Sequence, residues 1–397
     1  MDTRVVLLSG HVPWSPHKQT PHYIAEFLGR TAKSASVIYI EPPIAWSSKT
    51  PWFELERCTM LVRKRLRQVG ERIWVYTPAA LPFGRLGWTL AMNRKLLIAG
   101  LRRAMQRLGE PDPTLWLAET DASQTIRDLY PEAPCIFHAI DYFTHPGQAE
   151  AARRLAQHSD IVLAASPLIA ESYAQVNTKV YVFRNGWEFP ENLGTVLPPR
   201  QLGSIPRPRV GLVTFLGPNL DYELLYKLVS TLPISLVVIG RRIGALGPDE
   251  AILNRLLAHP RVYYLGERST DSLPGLIEAC DLCVAPYKQN KRIYASDPLK
   301  IYQYLALGKP VVVTPVHVLE SLPIVDVGRT PDEFVRIVEQ KLACGPDPEL
   351  TLLRKAAASK ATWLRRWCEL CVALSENDHF ASLLPASLGE TGKRFRQ

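Results

Sequence analysis

The stretch Ser296–Thr314, Ser-Asp-Pro-Leu-Lys-Ile-Tyr-Gln-Tyr-Leu-Ala-Leu-Gly-Lys-Pro-Val-Val-Val-Thr, constrains the fold more than any other part of the chain. It reads as a complete helix with a strand behind it. Ser296 or Asp297 is placed to cap the helix start, and Pro298 suits the first helical position. Gly308 offers a left-handed exit, and Pro310 to Thr314, with three valines in a row, reads as a buried strand. A helix start collects unpaired N–H groups and the positive end of the dipole, which suits an anion. Lys300 falls in that first turn, and Gln303, three residues on, shares its face and could reach a sugar hydroxyl. The same residues also satisfy an ordinary capped βα unit with no ligand.

The rest of the chain alternates in the same way. Apolar runs predict strands at Arg4–Ser9, Ser36–Ile40, Arg72–Tyr76, Thr114–Ala118, Cys135–His138, Ile161–Ala164 and Val180–Phe183. After them, Glu188–Arg209 carries Pro190, Pro198, Pro199, Pro206 and Pro208, a density that excludes regular structure and marks a linker. A second series follows at Val210–Leu216, Ser235–Ile239, Val262–Leu265, Leu282–Ala285 and Pro310–Thr314. Strands alternating with helices imply parallel, doubly wound sheets. The expected domains are 1–187 and 210–352, with 188–209 between them. A single long helix over 353–376 and a loose tail over 385–397 follow.

Ligands of such sheets bind at the carboxyl ends of the strands. In the second series those ends read Leu216-Gly217-Pro218, Ile239-Gly240-Arg241-Arg242, Leu265-Gly266-Glu267-Arg268 and Ala285-Pro286-Tyr287. Glycine lets backbone approach a ligand closely, although it also ends strands for no other reason. Three such corners with Arg241, Arg242 and Lys300 nearby suggest a phosphate cradle. Neither a GxGxxG nor a Walker A pattern occurs, which argues against dehydrogenases, kinases and ATPases.

The run Pro298–Val312 resembles the donor-site motif of GT-B glycosyltransferases. So do Val262-Tyr-Tyr-Leu-Gly-Glu267, Leu276-Ile-Glu-Ala-Cys-Asp281 and Ala285-Pro-Tyr287. In finer detail the pattern is similar to the UDP-glucuronate-dependent glucuronosyltransferases of xanthan assembly, with Gln303 in the ribose-facing helix, Tyr294 shortly before it and Asp297 near its start. The resemblance implies two Rossmann-like domains facing across a cleft. The second would hold a UDP-sugar through Gly217, Arg241, Gly266, Glu267, Tyr294, Leu299, Lys300 and Gln303. The large retaining class of this fold carries two Glu residues eight apart, where this chain has Ala295 and Gln303, so the resemblance favours inversion.

The first half agrees in shorter stretches: Ser9-Gly-His11 with Pro16 and His22, Trp116-Leu-Ala-Glu119, and Phe137-His-Ala-Ile-Asp141. By resemblance His11, His22 and Glu119 are acceptor-side residues, and Asp141 is the catalytic base. Chemically, an inverting transfer needs a base that takes the acceptor hydroxyl proton as that oxygen attacks the anomeric carbon. A carboxylate leaving a buried strand suits that task, and an Asp there also forms ordinary turns. Asp121 and Glu119 are the alternatives. His11, His17 and His22 lack metal-ligand spacing.

At 397 residues, 47% hydrophobic and 21% charged, the chain has enough apolar side chains for two real cores. Its net charge of +9 favours anionic partners. Seven cysteines give no disulfide framework. The pairs Cys280/Cys283 and Cys368/Cys371 fall in a strand end and a helix, which reads as core packing rather than zinc. Segment 85–108 contains Arg94, Lys95, Arg102, Arg103 and Arg107 and no acidic residue. It fits either a membrane-surface helix or a core-packed helix with a basic outer face, and Arg63-Lys-Arg-Leu-Arg67 adds charge nearby. No eighteen-residue apolar run or signal peptide is visible, so a cytoplasmic protein is expected, with association to the membrane's cytoplasmic face through 85–108.

Taken together, these features predict an inverting glycosyltransferase that needs neither metal nor cofactor. It would move a sugar from a UDP-sugar to a hydroxyl of a glycan, expected to be lipid-linked, with no nucleic-acid partner. A retaining transferase, a sugar-nucleotide epimerase and a nucleotide-sugar-binding protein without turnover are the competing readings.

Overall fold

The computed structural model describes residues 4–15, 18–31, 35–45, 65–81, 87–109, 112–118, 120, 122–188, 200–243, 246–375, 380 and 383. The chain forms two compact units. The first comprises residues 1–183 with 367–397, and the second residues 184–366.

The first unit holds an eight-stranded sheet in the order β10-β9-β8-β7-β1-β2-β5-β4. Its strands are β1 (Arg4–Ser9), β2 (Ala35–Ile40), β4 (Leu66–Gly70), β5 (Ile73–Tyr76), β7 (Pro113–Ala118), β8 (Cys135–Ala139), β9 (Ile161–Ala164) and β10 (Val180–Val182). A two-stranded parallel ribbon, β3 (Ile44–Ala45) with β6 (Ala79–Ala80), stands apart from it. The apolar runs of β1, β7, β8 and β9 are buried nearly end to end, as expected of strands covered on both faces. The chain leaves β1 toward β2 on one side, whereas β7 pairs on the other, so the topological switch lies at β1/β7. Strand β4 was not anticipated. It pairs antiparallel with β5 through a tight turn at Glu71–Arg72. In the basic run ending at Arg67, Arg65 is exposed and Arg67 points to the buried carboxylate of Glu41 at 2.9 Å, while Arg63 and Lys64 lie outside the described residues.

The second unit has six strands in the order β13-β12-β11-β14-β15-β16. They are β11 (Arg209–Val213), β12 (Ser235–Ile239), β13 (Val262–Gly266), β14 (Leu282–Ala285), β15 (Val311–Val313) and β16 (Asp326–Val327). All pair in parallel, and the switch lies between β11 and β14. Leucine and valine fill both faces of the central strands.

Three predicted boundaries change. The first unit ends at Phe183 rather than 187, because Arg184, Asn185 and Trp187 are tied into the second. Asn185 N–H donates to Asp297 Oδ2 at 2.9 Å, and Trp187 Nε1–H donates to Ala358 O at 2.6 Å. The proline-rich linker is shorter than 188–209, since Arg200–Gly203 is a turn of helix and β11 starts at Arg209; residues 189–199 lie outside the described residues. The single helix expected over 353–376 is two, Pro348–Ser359 and Trp363–Ser375. They break where Trp187 pairs with the chain: its N–H donates to Ala361 O, and its carbonyl accepts from Trp363 N–H. The tail over 385–397 lies outside the described residues.

Cys280 and Cys283 are buried in the second core, and burial pushes the Cys280 thiol up to about 12. Both are protonated packing groups.

Candidate functional site

The helix Leu299–Ala306 is fixed to the end of β11 by one side chain. Tyr304 is buried, and its hydroxyl accepts from Val213 N–H at 2.9 Å and donates to Val213 O at 3.1 Å. One turn earlier on that helix, Lys300 lies against the next two residues of the chain leaving β11. Its Nζ donates to Thr214 Oγ1 at 2.9 Å and sits 5.0 Å from the centre of the Phe215 ring. The side chain keeps some exposure, but its ammonium end lies deep among protein atoms. Burial lowers its pKa from 10.5 to about 7. Among the described residues no carboxylate contacts this ammonium, so a desolvated amine is held by a hydroxyl and a ring face.

The helix start differs from expectation. Leu299 is the first helical residue, Pro298 precedes it in extended conformation, and no side chain caps the end. Ser296 Oγ donates to Ile293 O instead. Asp297 turns away from the helix: it is 4% exposed and accepts from Arg184 Nη2 at 3.0 Å, Asn185 N–H at 2.9 Å and the Tyr302 hydroxyl at 2.8 Å. Asp297 anchors the 184–187 segment, and the first amides of the helix have no side-chain acceptor. Such an end carries the positive dipole and free N–H groups toward an anion.

The neighbouring strand ends complete this edge. Gly240 leaves β12 at φ +141°, and a Cβ there would lie 1.7 Å from Thr214 O. Only glycine allows β12 to close on the residue that receives Lys300. Gly266 has φ +70°, and its carbonyl accepts from Gly240 N–H at 2.9 Å. Gly217 has no unusual φ; its carbonyl accepts from the Tyr222 hydroxyl at 2.8 Å. The two arginines separate. Arg241 lies 5.4 Å from the Phe215 ring centre and 3.7 Å from Glu267, whereas Arg242 turns to Glu250. The expected cradle of both guanidiniums is therefore reduced to Arg241 with Lys300, both near the Phe215 ring.

Gln303 is 6% exposed, beside Lys300 and Tyr304 on the helix, and its amide has no protein partner among the described residues. Tyr294 stands further along the edge. Its hydroxyl donates to Glu320 Oε2 at 3.0 Å, and Glu320 is paired with Arg329 at 2.7 Å. Beside Gly240, already marked as a strand-end corner, Thr214 and Phe215 complete the site although sequence reasoning did not select them. The signal was present only as a polar residue closing an apolar run.

In the first unit, the loop after β1 is pinned from three directions. The Tyr39 hydroxyl donates to Val12 O at 2.7 Å, and Glu41 accepts from Trp14 N–H at 2.9 Å. His22 accepts from Gln19 N–H at its Nδ1, 2.9 Å away, and its Nε2 lies 3.0 Å from Pro13 O. Both His22 nitrogens are thus committed to loop backbone, and the ring is stacked on Tyr39. Burial lowers its pKa to about 4. His22 holds the loop and offers no nitrogen to an acceptor, a correction to its expected role.

His11 sits at the end of β1, close enough to His22 and His138 to oppose protonation of both. His138 is buried in β8 and takes a long 3.5 Å bond from Trp116 Nε1–H. Burial lowers its pKa to about 3. Asp141 leaves β8 three residues later, half-buried at the carboxyl edge. Adjacent strands β1, β7 and β8 thus bring His11 and Asp141 to one edge of the sheet. Glu119, Asp121 and His17 lie outside the described residues.

No group of three or more His, Cys, Asp or Glu side chains suited to a metal ion occurs among the described residues.

Two doubly wound units, each with a switch point at its centre, form the architecture of GT-B glycosyltransferases, and solved structures of that fold match nearly the whole chain. A sucrose-phosphate synthase from Thermosynechococcus elongatus superposes with a TM-score of 0.69 at 14% identity, covering 96% of this chain and 99% of its own. Anabaena HepE in complex with UDP-glucose superposes at 0.63 and 17%, covering 94% and 99%. Within that fold, residues 219–342 match the family of group 1 glycosyl transferases, and the second unit carries that family's domain. A curated relative, TuaH of Bacillus subtilis strain 168, assigned as a teichuronic acid biosynthesis glycosyltransferase, is 26% identical over 227 residues. The match covers 53% of this chain and 55% of TuaH, so the chain spans about half the length of the curated relative it matches.

Proposed function

We propose that this chain transfers a sugar from a UDP-sugar to a hydroxyl of a glycan. The observation that carries the reading is the Lys300 ammonium, desolvated over Phe215 beside an uncapped helix start, inside the group 1 transferase domain. That arrangement supplies an ammonium that a bound anion would hold charged, the guanidinium of Arg241 nearby and the first backbone N–H groups of the helix, which together suit a diphosphate. It would stabilise the same diphosphate as it departs carrying negative charge, with Lys300 in the role a metal ion fills elsewhere. Gln303, buried on the same helix face, offers an amide to a ribose hydroxyl. The UDP-glucose in the HepE structure supports a UDP-sugar as donor.

On the acceptor side, Asp141 is the proposed base. It takes the proton of the acceptor hydroxyl while that oxygen bonds to the anomeric carbon and the bond to the UDP oxygen breaks, inverting the centre. His11 stands on the same edge as an acceptor contact. The acceptor is proposed to be lipid-linked, and the helix Gly87–Arg107 to lie on an anionic membrane surface. It has no acidic residue, and Trp88, Leu90 and Met92 are 66, 56 and 41% exposed. No helix among the described residues is long and apolar enough to cross a membrane.

The test begins with a thermal-shift panel of nucleotides. A UDP-sugar at 100 times its Kd should stabilise by about 2.7 kcal/mol. Lys300→Met should remove most of that gain, and Asp141→Asn should retain it while lowering transfer about 10²–10⁴-fold. NMR of the product anomer then decides inversion. Unchanged nucleotide affinity in Lys300→Met refutes the donor site, and full transfer by Asp141→Asn refutes the base.

A further inference from the structure

We propose that the first unit contains a seat for a single hydrocarbon chain, the lipid portion of an amphiphilic acceptor with an anionic head. The inference rests on the acceptor reading above and specifies which part of the protein holds the lipid. A cavity of about 600 Å³ opens between the β3–β6 ribbon and the helices Gly87–Arg107 and Ser123–Leu129. Its walls are Pro43, Pro78, Ala80, Leu81, Leu97 and Ala122. The size suits a ligand site, and the lining is mostly apolar.

Of the three polar side chains at its wall, Asn93 and Arg94 are paired within the protein, and the third is the hydroxyl of Thr125. Asn93 Oδ1 accepts from Leu81 N–H at 2.6 Å, and Arg94 reaches Asp128 at 2.7 Å. One hydroxyl in an otherwise apolar lining suits hydrocarbon better than a sugar, which needs many polar partners.

Two further features select the occupant. Leu90 lines the cavity and is also 56% exposed, so the apolar lining reaches the outer surface. The same helix carries Lys95, Arg102, Arg103 and Arg107 with no acid, a field that attracts a phosphate or diphosphate head. The position is also apt. Pro43 follows β2, Pro78 follows β5 and Ala122 follows β7, so the cavity lies along the same carboxyl edge that carries His11 and Asp141. A chain seated there would place its attached head on the working edge of the sheet.

Alkyl phosphates of eight to twelve carbons, each kept below its micelle threshold, test this by calorimetry on the full chain. Affinity should tighten about fourfold per added methylene, and inorganic phosphate should not displace the dodecyl ester. Ala91→Trp, which fills the cavity from an exposed helix position, should weaken dodecyl phosphate at least tenfold and leave UDP affinity unchanged. Leu90→Asp should act in the same direction. Affinity independent of chain length, or dodecyl phosphate binding untouched by both variants, overturns the proposal. So does sedimentation showing that the wild type self-associates through this face and that Leu90→Asp releases monomers. Because every readout is direct binding, alkyl-chain selectivity without any sugar transfer would reject the transferase reading while leaving the seat in place.

Discussion

The Tyr304 hydroxyl bonds both backbone groups of Val213, at 2.9 Å to the N–H and 3.1 Å to the carbonyl. It thereby sets how far Lys300 reaches toward Thr214. Tyr304→Phe keeps the ring and removes both bonds inside the core, which should cost about 1–3 kcal/mol. Nucleotide affinity should fall with it, because the helix start loses its register against β11. Urea unfolding and UDP titration measure the two effects. A loss under about 0.5 kcal/mol with unchanged UDP binding would show that packing alone positions the helix.

Two glycines on the same edge should behave very differently. Gly240→Ala forces a Cβ to within 1.7 Å of Thr214 O at φ +141°, so either β12 or the Thr214 segment must move. The expected cost is about 3 kcal/mol or more, with nucleotide binding lost in whatever remains folded. Gly266→Ala meets no atom within 4 Å and carries only the left-handed penalty at φ +70°, about 1–2 kcal/mol. Equal destabilisation by the two variants would contradict the close approach at Gly240.

Lys300 couples nucleotide binding to pH. Its pKa is lowered from 10.5 in the unfolded chain to about 7 in the fold. Between those values the unfolded state binds more protons, so folding stability should rise as pH increases from about 7 toward 10. The slope from this group is at most about 1.4 kcal/mol per pH unit. Lys300→Met should lose that component. A diphosphate favours the charged form, so UDP binding near pH 7 should take up a fraction of a proton, and less at pH 5.5. Calorimetry in buffers of different ionisation enthalpy reads the uptake directly. Identical apparent enthalpies in all buffers at pH 7 would mean that the ammonium is already fully charged.

The sequence made the two sheets visible because parallel strands buried on both faces are short continuous apolar runs, and nearly every such run is a strand. It also marked Lys300 and Gln303, since helix spacing places both on one face. What it hid are relationships between distant residues. Asp297 reads as a helix cap, yet its carboxylate is taken by Arg184 and Asn185, more than a hundred positions away. The helix break at 360–362 has no glycine or proline to announce it, because the backbone of Trp187 causes it. Strand β4 is an edge strand with an exposed face, and its mixed sequence lacks the apolar signature of its neighbours. His22 resembles a site residue by type, and only its two backbone partners show that its ring is spent on the loop.

Those two partners, together with the burial of His138, predict acid sensitivity in the first unit. The pKa values of His22 and His138 fall from 6.5 to about 4 and about 3. Below pH 6.5 the unfolded chain takes up protons that the folded rings refuse. Stability is therefore fully present above that pH and is lost as pH drops through the window down to the folded values, by at most about 1.4 kcal/mol per pH unit for each ring. Carboxylates add their own slope in acid, so the informative quantity is a difference between proteins. His22→Gln should begin less stable at pH 7, because the stacked ring on Tyr39 and at least one backbone bond are lost. It should then lose less stability than the wild type between pH 6.5 and 4.5. Urea titrations at three pH values in that interval measure both slopes. Parallel slopes would show that His22 is already protonated in the fold, which its acceptance of a bond from Gln19 N–H at Nδ1 forbids.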